Sequence, residues 1–515
     1  MIQIIMIVGY VLFSSLVSLY FMKRAKENTS SFYTASRSMP MIVVAALLFS
    51  EIIAGSGTIG NAQNAFNGGL SNAIWANWGM AIGCFLVVPT VSKFYRSMAA
   101  KHNAMTIPQC YAAMFGEKVR IVMIFVVALV YLIFFSTQAS AASTILAPLL
   151  GIDSTVCIWA ITFVFIIIAV FGGMVGVSWM GVLHTAVMIA GMSIVAFFSV
   201  RHIGGLDALR SDLPASYFSI IGAKPMNTLA SALGTAISFL ASSNVTAALF
   251  GSKDKKSANG GMIIAGLLTL PFALMPAIIG ICAKVYLPDI SSGSALYAMA
   301  NSVGPIFGGL VSMAIIAAIW STAPSLLMVI SGTFTKDLYC AVINPHASEK
   351  QQLRFSYVVI VIAGIAGTWL GMGASSILNQ MLGAFQIRSV VGVVLLAALA
   401  WPRVNSRAAF WSMMGGGTVA AGWFFAGNPF GIAPRGRQRR CASSSLSRSR
   451  CRVRKRSPMG TGDIWKRRKR SRKTKPKRRR KLQSIIKSPE IARFQDFSAL
   501  MRFKSTLSQL LPGVM

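Results

Sequence analysis

Apolar runs of about twenty residues recur along this chain from Ile2 to about Ala426, and each is long enough to cross the roughly 30 Å hydrocarbon core of a bilayer as a helix. About twelve can be counted. They are Ile2 to Met22, Met41 to Phe66, Ala73 to Val91, Ile121 to Leu146, Cys157 to Phe171, Val182 to Val200, Thr228 to Phe250, Met262 to Ala283, Ile306 to Ile330, Tyr357 to Leu370, Ile377 to Ala400 and Phe410 to Ala426. With 55% hydrophobic residues, 12% charged and a mean hydropathy of +0.63, water cannot be the main solvent. The expected fold class is an all-α polytopic membrane protein. No basic residue precedes the first run, and Lys23, Arg24 and Lys26 follow it, so it reads as a retained span rather than a signal peptide. Seven scattered cysteines show no CxxC spacing, which points to neither a zinc site nor a disulfide framework.

Loop charge sets orientation, because Lys and Arg near span ends are held on the cytoplasmic side. Lys23, Arg24, Lys26 and Arg37 place the first loop inside and the N-terminus outside. The basic loops after spans three, seven, nine and eleven then also fall inside; they carry Lys93, Arg96 and Lys101, then Lys253, Lys255 and Lys256, then Lys336, Lys350 and Arg354, then Arg403 and Arg407. The loop with Arg201, Arg210 and Lys224 is the exception, but it also holds Asp207 and Asp212 and is long enough to weaken the rule.

The formal charge of +36 is uneven: from Arg435 onward 27 Lys and Arg face three acids, so that stretch alone holds +24. It lacks apolar periodicity until its last turns and reads as a disordered basic tail spanning 434–515, outside the transmembrane domain 1–433. Twelve spans starting outside would end outside and leave this charge on the wrong face. Two explanations stay open: a frameshifted or otherwise foreign C-terminus, or a genuine polybasic segment on anionic lipid with one span miscounted. Nucleic acid is not expected as a partner. Without a phosphate-binding glycine loop or a metal-ligand cluster, nothing argues for an enzyme.

Two spans carry unusual polarity. The second contains Glu51 just before Gly55, Ser56 and Gly57, and an acid near mid-membrane is costly enough (about 2.5–3.5 kcal/mol) to require a cavity, a partner or a substrate path. Glycines there permit close packing or local unwinding, and unwinding exposes carbonyl oxygens, the ligands a hard cation such as Na⁺ seeks. The ninth span has adjacent Ser321 and Thr322 beside Pro324, whose missing N–H loosens a carbonyl one turn earlier. Hydroxyls on membrane helices commonly bond their own i−4 carbonyl, so the pair alone is weak.

Five short segments, taken together and in order, resemble the sodium:solute symporter family, whose members carry sugars, proline, pantothenate, choline and other small solutes. They are Phe32 to Pro40, Phe171 to His184, Ser252 to Gly261, Thr333 to Tyr339 and Trp401 to Gly416. The resemblance covers about residues 30 to 433. It implies a leucine-transporter-type architecture of two inverted five-helix repeats, about 41–200 and 228–400, each opening on a broken helix, with one extra N-terminal helix. The seventh span, with Gly234, Ser238, Ser242, Ser243 and Asn244, is polar enough to break.

Family sodium sites, registered on Gly60, imply that the Ser50, Ile53 and Ala318 carbonyls and the Ser321 and Thr322 hydroxyls hold Na⁺ as coupling ion; no cofactor is implied. Glu51, Asn61, Gln63, Trp75 and Asn244 are candidates for the substrate path, although such residues more commonly pack or anchor helices. Gly181 and His184 stand where the family often has Asp and Gln, and Ala247 and Ala248 where it has Gln and Arg, which leaves the solute open. His184 reads as a bundle histidine before a proton relay. Most members continue with a further span after the segment resembling Gly427 to Ile432, where this chain turns basic. The expected function is sodium-coupled import of a small solute across the inner membrane; the rivals are a solute sensor that does not transport, or a membrane-inserted but inactive product.

Overall fold

Unbroken apolar runs satisfy their own backbone within one segment only as helices, and the computed structural model is helices joined by short loops, with no strand among the residues it describes, which are 2–25, 29–222, 225–372, 377–401 and 404–425. The basic tail lies outside the described residues. Eleven long elements follow in chain order: α1 Ile2–Ala25, α2 Met41–Gly68, α3 Leu70–Thr90, α4 Glu117–Leu150, α5 Ser154–His202, α6 Pro225–Leu240 with Ser243–Gly251, α7 Lys255–Tyr286, α8 Pro305–Ile343, α9 Glu349–Met372, α10 Ile377–Ala400 and α11 Ser406–Phe425. Eight of these are long and apolar enough by themselves to cross a membrane, and the bent pair forming α6 makes a ninth.

The stretch between Phe171 and Val182, expected to separate two spans, does not form a loop. Helix runs on from Ser154 to His202 and breaks at a single residue, Gly173, with φ 55° and ψ −169°. Glycine alone takes such a conformation without a Cβ clash. A straight 49-residue helix would reach about 73 Å, more than twice the bilayer core, so the break is what makes α5 two helices.

Layering follows from which helices can tolerate lipid. In α2 and α8, 94% of the most apolar stretch is buried inside the protein, against 44% in α9. Over those stretches the two central helices therefore need no polar face, while Phe125, Phe163, Phe197 and Trp369 point outward from the helices around them. The α8 helix packs on α5, α4, α1 and α2, and α2 packs on α7 and α5. Close approach at the centre requires glycine: a Cβ at Gly280 of α7 would collide with the Ala62 carbonyl of α2.

Loops that the charge map assigns to one side do meet at one end of the bundle. Met39, leading into α2, pairs with the segment after α6 through Met39 N–H to Gly251 O (2.9 Å) and Lys253 N–H to Met39 O (3.1 Å). Arg96 donates to Ser252 Oγ at 2.6 Å and Arg37 to Ala99 O at 3.0 Å. Asp254 caps α7 by accepting from Ser257 N–H at 2.6 Å, and that backbone bond holds its carboxyl below the usual carboxylate range.

Candidate functional site

Helix α2 is broken at Ala54, which takes φ 43° and ψ −164°, and continues through a widened turn at Ser56–Gly60 before resuming as Asn61–Gly68. A non-glycine residue held there stores strain of order 1–3 kcal/mol, so neighbours must impose it. Two do. The Gly55 N–H donates to Gln138 Oε1 of α4 at 2.8 Å, and Asn77 Nδ2 of α3 donates to the Ile52 carbonyl at 2.9 Å. Gly57 lets Asn77 through, since a Cβ there would lie 2.6 Å from its amide nitrogen. Replacing Gln138 by alanine leaves the Gly55 N–H buried without an acceptor; we expect a loss of about 1–3 kcal/mol, measured by thermal unfolding, and a loss within error would mean that α2 holds its break unaided.

The carbonyls loosened by this break face α8. Thr322 Oγ1 lies 2.8 Å from Ser50 O and 2.9 Å from Ala318 O, and Ser321 Oγ donates to Ala318 O at 2.9 Å. Four of the five residues expected to hold Na⁺ are thus drawn together, all buried. The fifth, Ile53, is buried too, and its carbonyl accepts from Ser56 N–H on the far side of the kink. The Thr322 hydroxyl has one proton and two carbonyl neighbours within 3 Å, so one of those oxygen pairs meets lone pair to lone pair. A small cation among these neutral, hard oxygens would relieve that contact, and the donor set fits Na⁺.

One residue further along α2, Glu51 forms a buried ion pair with Arg388 of α10, Nη1 to Oε1 3.1 Å. Ser242 Oγ donates to the same carboxylate oxygen at 2.5 Å, and Arg388 Nε donates to Ser238 Oγ at 2.9 Å. Both serines belong to α6, which bends by 44° between its halves. Ser242 caps the second half, accepting from Asn244 N–H and Val245 N–H. The Tyr131 hydroxyl of α4 accepts from Ser243 N–H at 2.7 Å and Asn244 N–H at 3.2 Å. Since the Ser242 proton goes to Glu51, the Tyr131 proton goes to Ser242 Oγ, 3.1 Å away. Tyr131, Phe134 and Gln138 lie three and four residues apart, on one stripe of α4. That stripe serves both broken helices, and the Phe134 ring lies 5.2 Å from the Arg388 guanidinium, with Phe385 at 5.3 Å.

Of the residues expected on a substrate path, Glu51 and Asn244 stand in this cluster. Asn61 is buried, its amide reaching Ala273 O at 3.4 Å. No hydrogen bond joins Gln63 to the cluster among the described residues. The Trp75 indole N–H holds Ile220 O at 2.6 Å and its ring meets Trp78, which ties a loop to α3. His184 is buried against Tyr10 of α1, ring nitrogen to hydroxyl. Sequence reasoning missed Arg388, Tyr131 and Gln138. Arg388 could have been found, being a cation midway along the apolar run Ile377 to Ala400.

The model of the sodium:solute symporter family matches residues 32–416. The high-affinity proline transporter PutP of Bacillus subtilis (strain 168) is 25% identical over 449 aligned residues, covering 79% of this chain and 89% of its own length. The sodium/proline symporter of Escherichia coli (strain K12) is 22% identical over 427, covering 78% and 83%. Among solved structures, a Na⁺-coupled sialic acid symporter in a substrate-bound outward-open state superposes with a TM-score of 0.65 at 21% identity, over 83% of this chain and 98% of that one. MhsT in complex with L-phenylalanine gives 0.54 at 13% identity, over 76% and 99%. Both likenesses speak to the fold alone.

Proposed function

The chain belongs to the sodium:solute symporter family, an integral membrane family, and from that premise we propose that it imports a small organic solute by alternating access, driven by Na⁺. In this reading Ser50, Ile53 and Ala318 supply carbonyls and Ser321 and Thr322 supply hydroxyls to the ion, while Glu51 and Asn244, with Asn61, Gln63 and Trp75 further along the path, face the solute. The observation that carries it is the Thr322 hydroxyl joining Ser50 O to Ala318 O one residue from Glu51. Whatever fixes the register of α2 against α8 also fixes the carboxylate beside α6, so ion and solute bind to parts of one turn. One Na⁺ gains about 2.3 kcal/mol from 100 mV and about 1.4 from a tenfold gradient, enough together for a several-hundredfold gradient of a neutral solute.

The finer architecture is part of the same proposal. Counting α5 as two helices about Gly173 and α6 as one broken span makes twelve, and the two broken helices, α2 and α6, open the segments 41–200 and 228–400 as inverted repeats would. The transport domain is 1–433, it sits among lipid in the inner membrane, and the N-terminus faces outward. The test is uptake into proteoliposomes with the Na⁺ gradient inward, absent or replaced by K⁺. L-proline is the first solute to try, since relatives are named for it. We expect accumulation under inward Na⁺ alone. Binding without accumulation would overturn symport in favour of a sensor, and neither would indicate an inactive protein.

A further inference from the structure

A cavity of about 400 Å³ opens at the end of the bundle where the basic loops meet, and among the described residues neither α2 nor α6 contributes to its lining. Its wall brings together His102, Gln109, the first turn of α4 with Glu117 and Arg120, and the last turns of α8 with Lys336 and Cys340. Asp337 follows Lys336 but does not line the cavity. It is fully buried, and among the described residues neither of its carboxylate oxygens has a hydrogen-bond partner. Arg120 Nε is buried without a partner as well, while Arg120 Nη1 reaches Glu117 Oε2 at 3.1 Å. The charges that act on Asp337 are those two, Arg120 attracting and Glu117 repelling. Lys336 is committed elsewhere, donating to Gln352 Oε1 of α9 at 2.7 Å and lying over the Tyr33 ring.

An acceptor and a donor of opposite charge, both buried and both spare on helices that pack together, complete one another, and leaving them apart is costly where little screens them. The bond that Arg120 makes instead is weak. Glu117 stands three residues back on the same helix with its side chain 70% exposed, so water screens the pair. Something therefore holds Asp337 out of reach, and the end of α8 supplies it. Over Phe334–Ile343 that helix is wound wide, with one residue more to each hydrogen-bonded turn. Returning this segment to ordinary winding would turn Asp337 about the helix axis relative to the buried part of α8. We propose that Arg120 is the moving arm of an ion-pair switch between α4 and α8. On Glu117, with the end of α8 wide, it leaves the cavity open as here; on Asp337, with that end rewound, it draws the two helices together and closes the cavity. The switch goes beyond the transport reading and needs neither ion nor solute. It shares a helix with the ion cage all the same, since α8 runs without a break from Thr322 to Thr333.

Cys340 reports on the cavity, because it lines it and is not buried, whereas Cys84, Cys110, Cys157 and Cys282 are. Full-length protein in detergent and KCl, carrying Cys441→Ser and Cys451→Ser to silence the tail, is treated with N-ethylmaleimide, and the labelling rate at Cys340 is read by mass spectrometry. That rate follows the open fraction, so Glu117→Gln, which frees Arg120 to swing inward, should slow it about threefold or more. Charge alone works the other way, since removing a carboxylate near a thiol favours the reactive thiolate. Adding Asp337→Asn to Glu117→Gln takes away the inner partner and should restore at least the wild-type rate. Arg120→Gln should make the rate indifferent to Glu117→Gln. Glu117 is exposed, so the first comparison depends on no buried substitution. Labelling of Glu117→Gln at the wild-type rate or faster, or slowing that persists once Asp337→Asn is added, would overturn the switch. With neither Na⁺ nor solute present, either outcome leaves the transport reading to its own test.

Discussion

Replacing Arg388 by alanine is expected to destabilise the protein by about 3–5 kcal/mol, because it strands Glu51 as an uncompensated buried charge. Ser242 would remain on the carboxylate, but one neutral hydroxyl does not replace a guanidinium. The same substitution opens the contacts to Ser238, Phe134 and Phe385 and so loosens α10 from α4 and α6. Removing both charges, Glu51→Ala with Arg388→Ala, should recover most of the loss, since a pair deleted whole leaves no unpaired ion. Unfolding curves of wild type, both single variants and the double variant close the cycle. If the Arg388→Ala single variant proved as stable as the double, the two side chains would not be coupled, and the joining of α2, α6 and α10 at this point would have to come from apolar packing.

The polar features that local sequence makes visible are those where an odd residue interrupts an apolar run. Glu51 ahead of Gly55, Ser56 and Gly57, and the Ser321–Thr322 pair ahead of Pro324, stand out for that reason, and the structure joins both within one residue of α2. What local reading cannot supply is the partner. The kink falls on Ala54, not on a glycine, because Gln138 and Asn77 reach in from other helices. Tyr131 sits in an apolar stretch of α4 and Gln138 among the small polar residues Ser136, Thr137 and Ser140, and their role emerges only when α4 is laid across both broken helices. Arg388 is legible in principle, but orientation is read from charges in loops, and a charge inside a span escapes that search. Apolar length places the ends of spans only approximately, and Gly173 falls in the gap read between the runs ending at Phe171 and starting at Val182, where the structure shows helix broken at a single positive φ.

Thr322→Ala is expected to abolish or sharply reduce the response to Na⁺ while leaving the fold intact. The side chain is small, and its removal deletes one hydroxyl from a helix whose apolar surroundings are otherwise unchanged. In the wild type an ion held a hundredfold above its Kd stabilises the folded state by about 2.7 kcal/mol; a tenfold loss of affinity would cut that to about 1.4. The hydroxyl touches both the Ser50 and Ala318 carbonyls, so its loss removes one oxygen and also the contact that holds the other two in register across α2 and α8. Thr322→Ser keeps the oxygen and should keep most of the effect. The comparison is thermal stability in Na⁺ against K⁺ at equal ionic strength, followed by uptake at rising Na⁺. A Thr322→Ala protein with an undiminished Na⁺ shift would mean the ion is held elsewhere. A shift lost in Thr322→Ala but kept in Thr322→Ser would locate the cage at the α2 break and make the register of Ser50, hence of Glu51, the quantity that sodium controls.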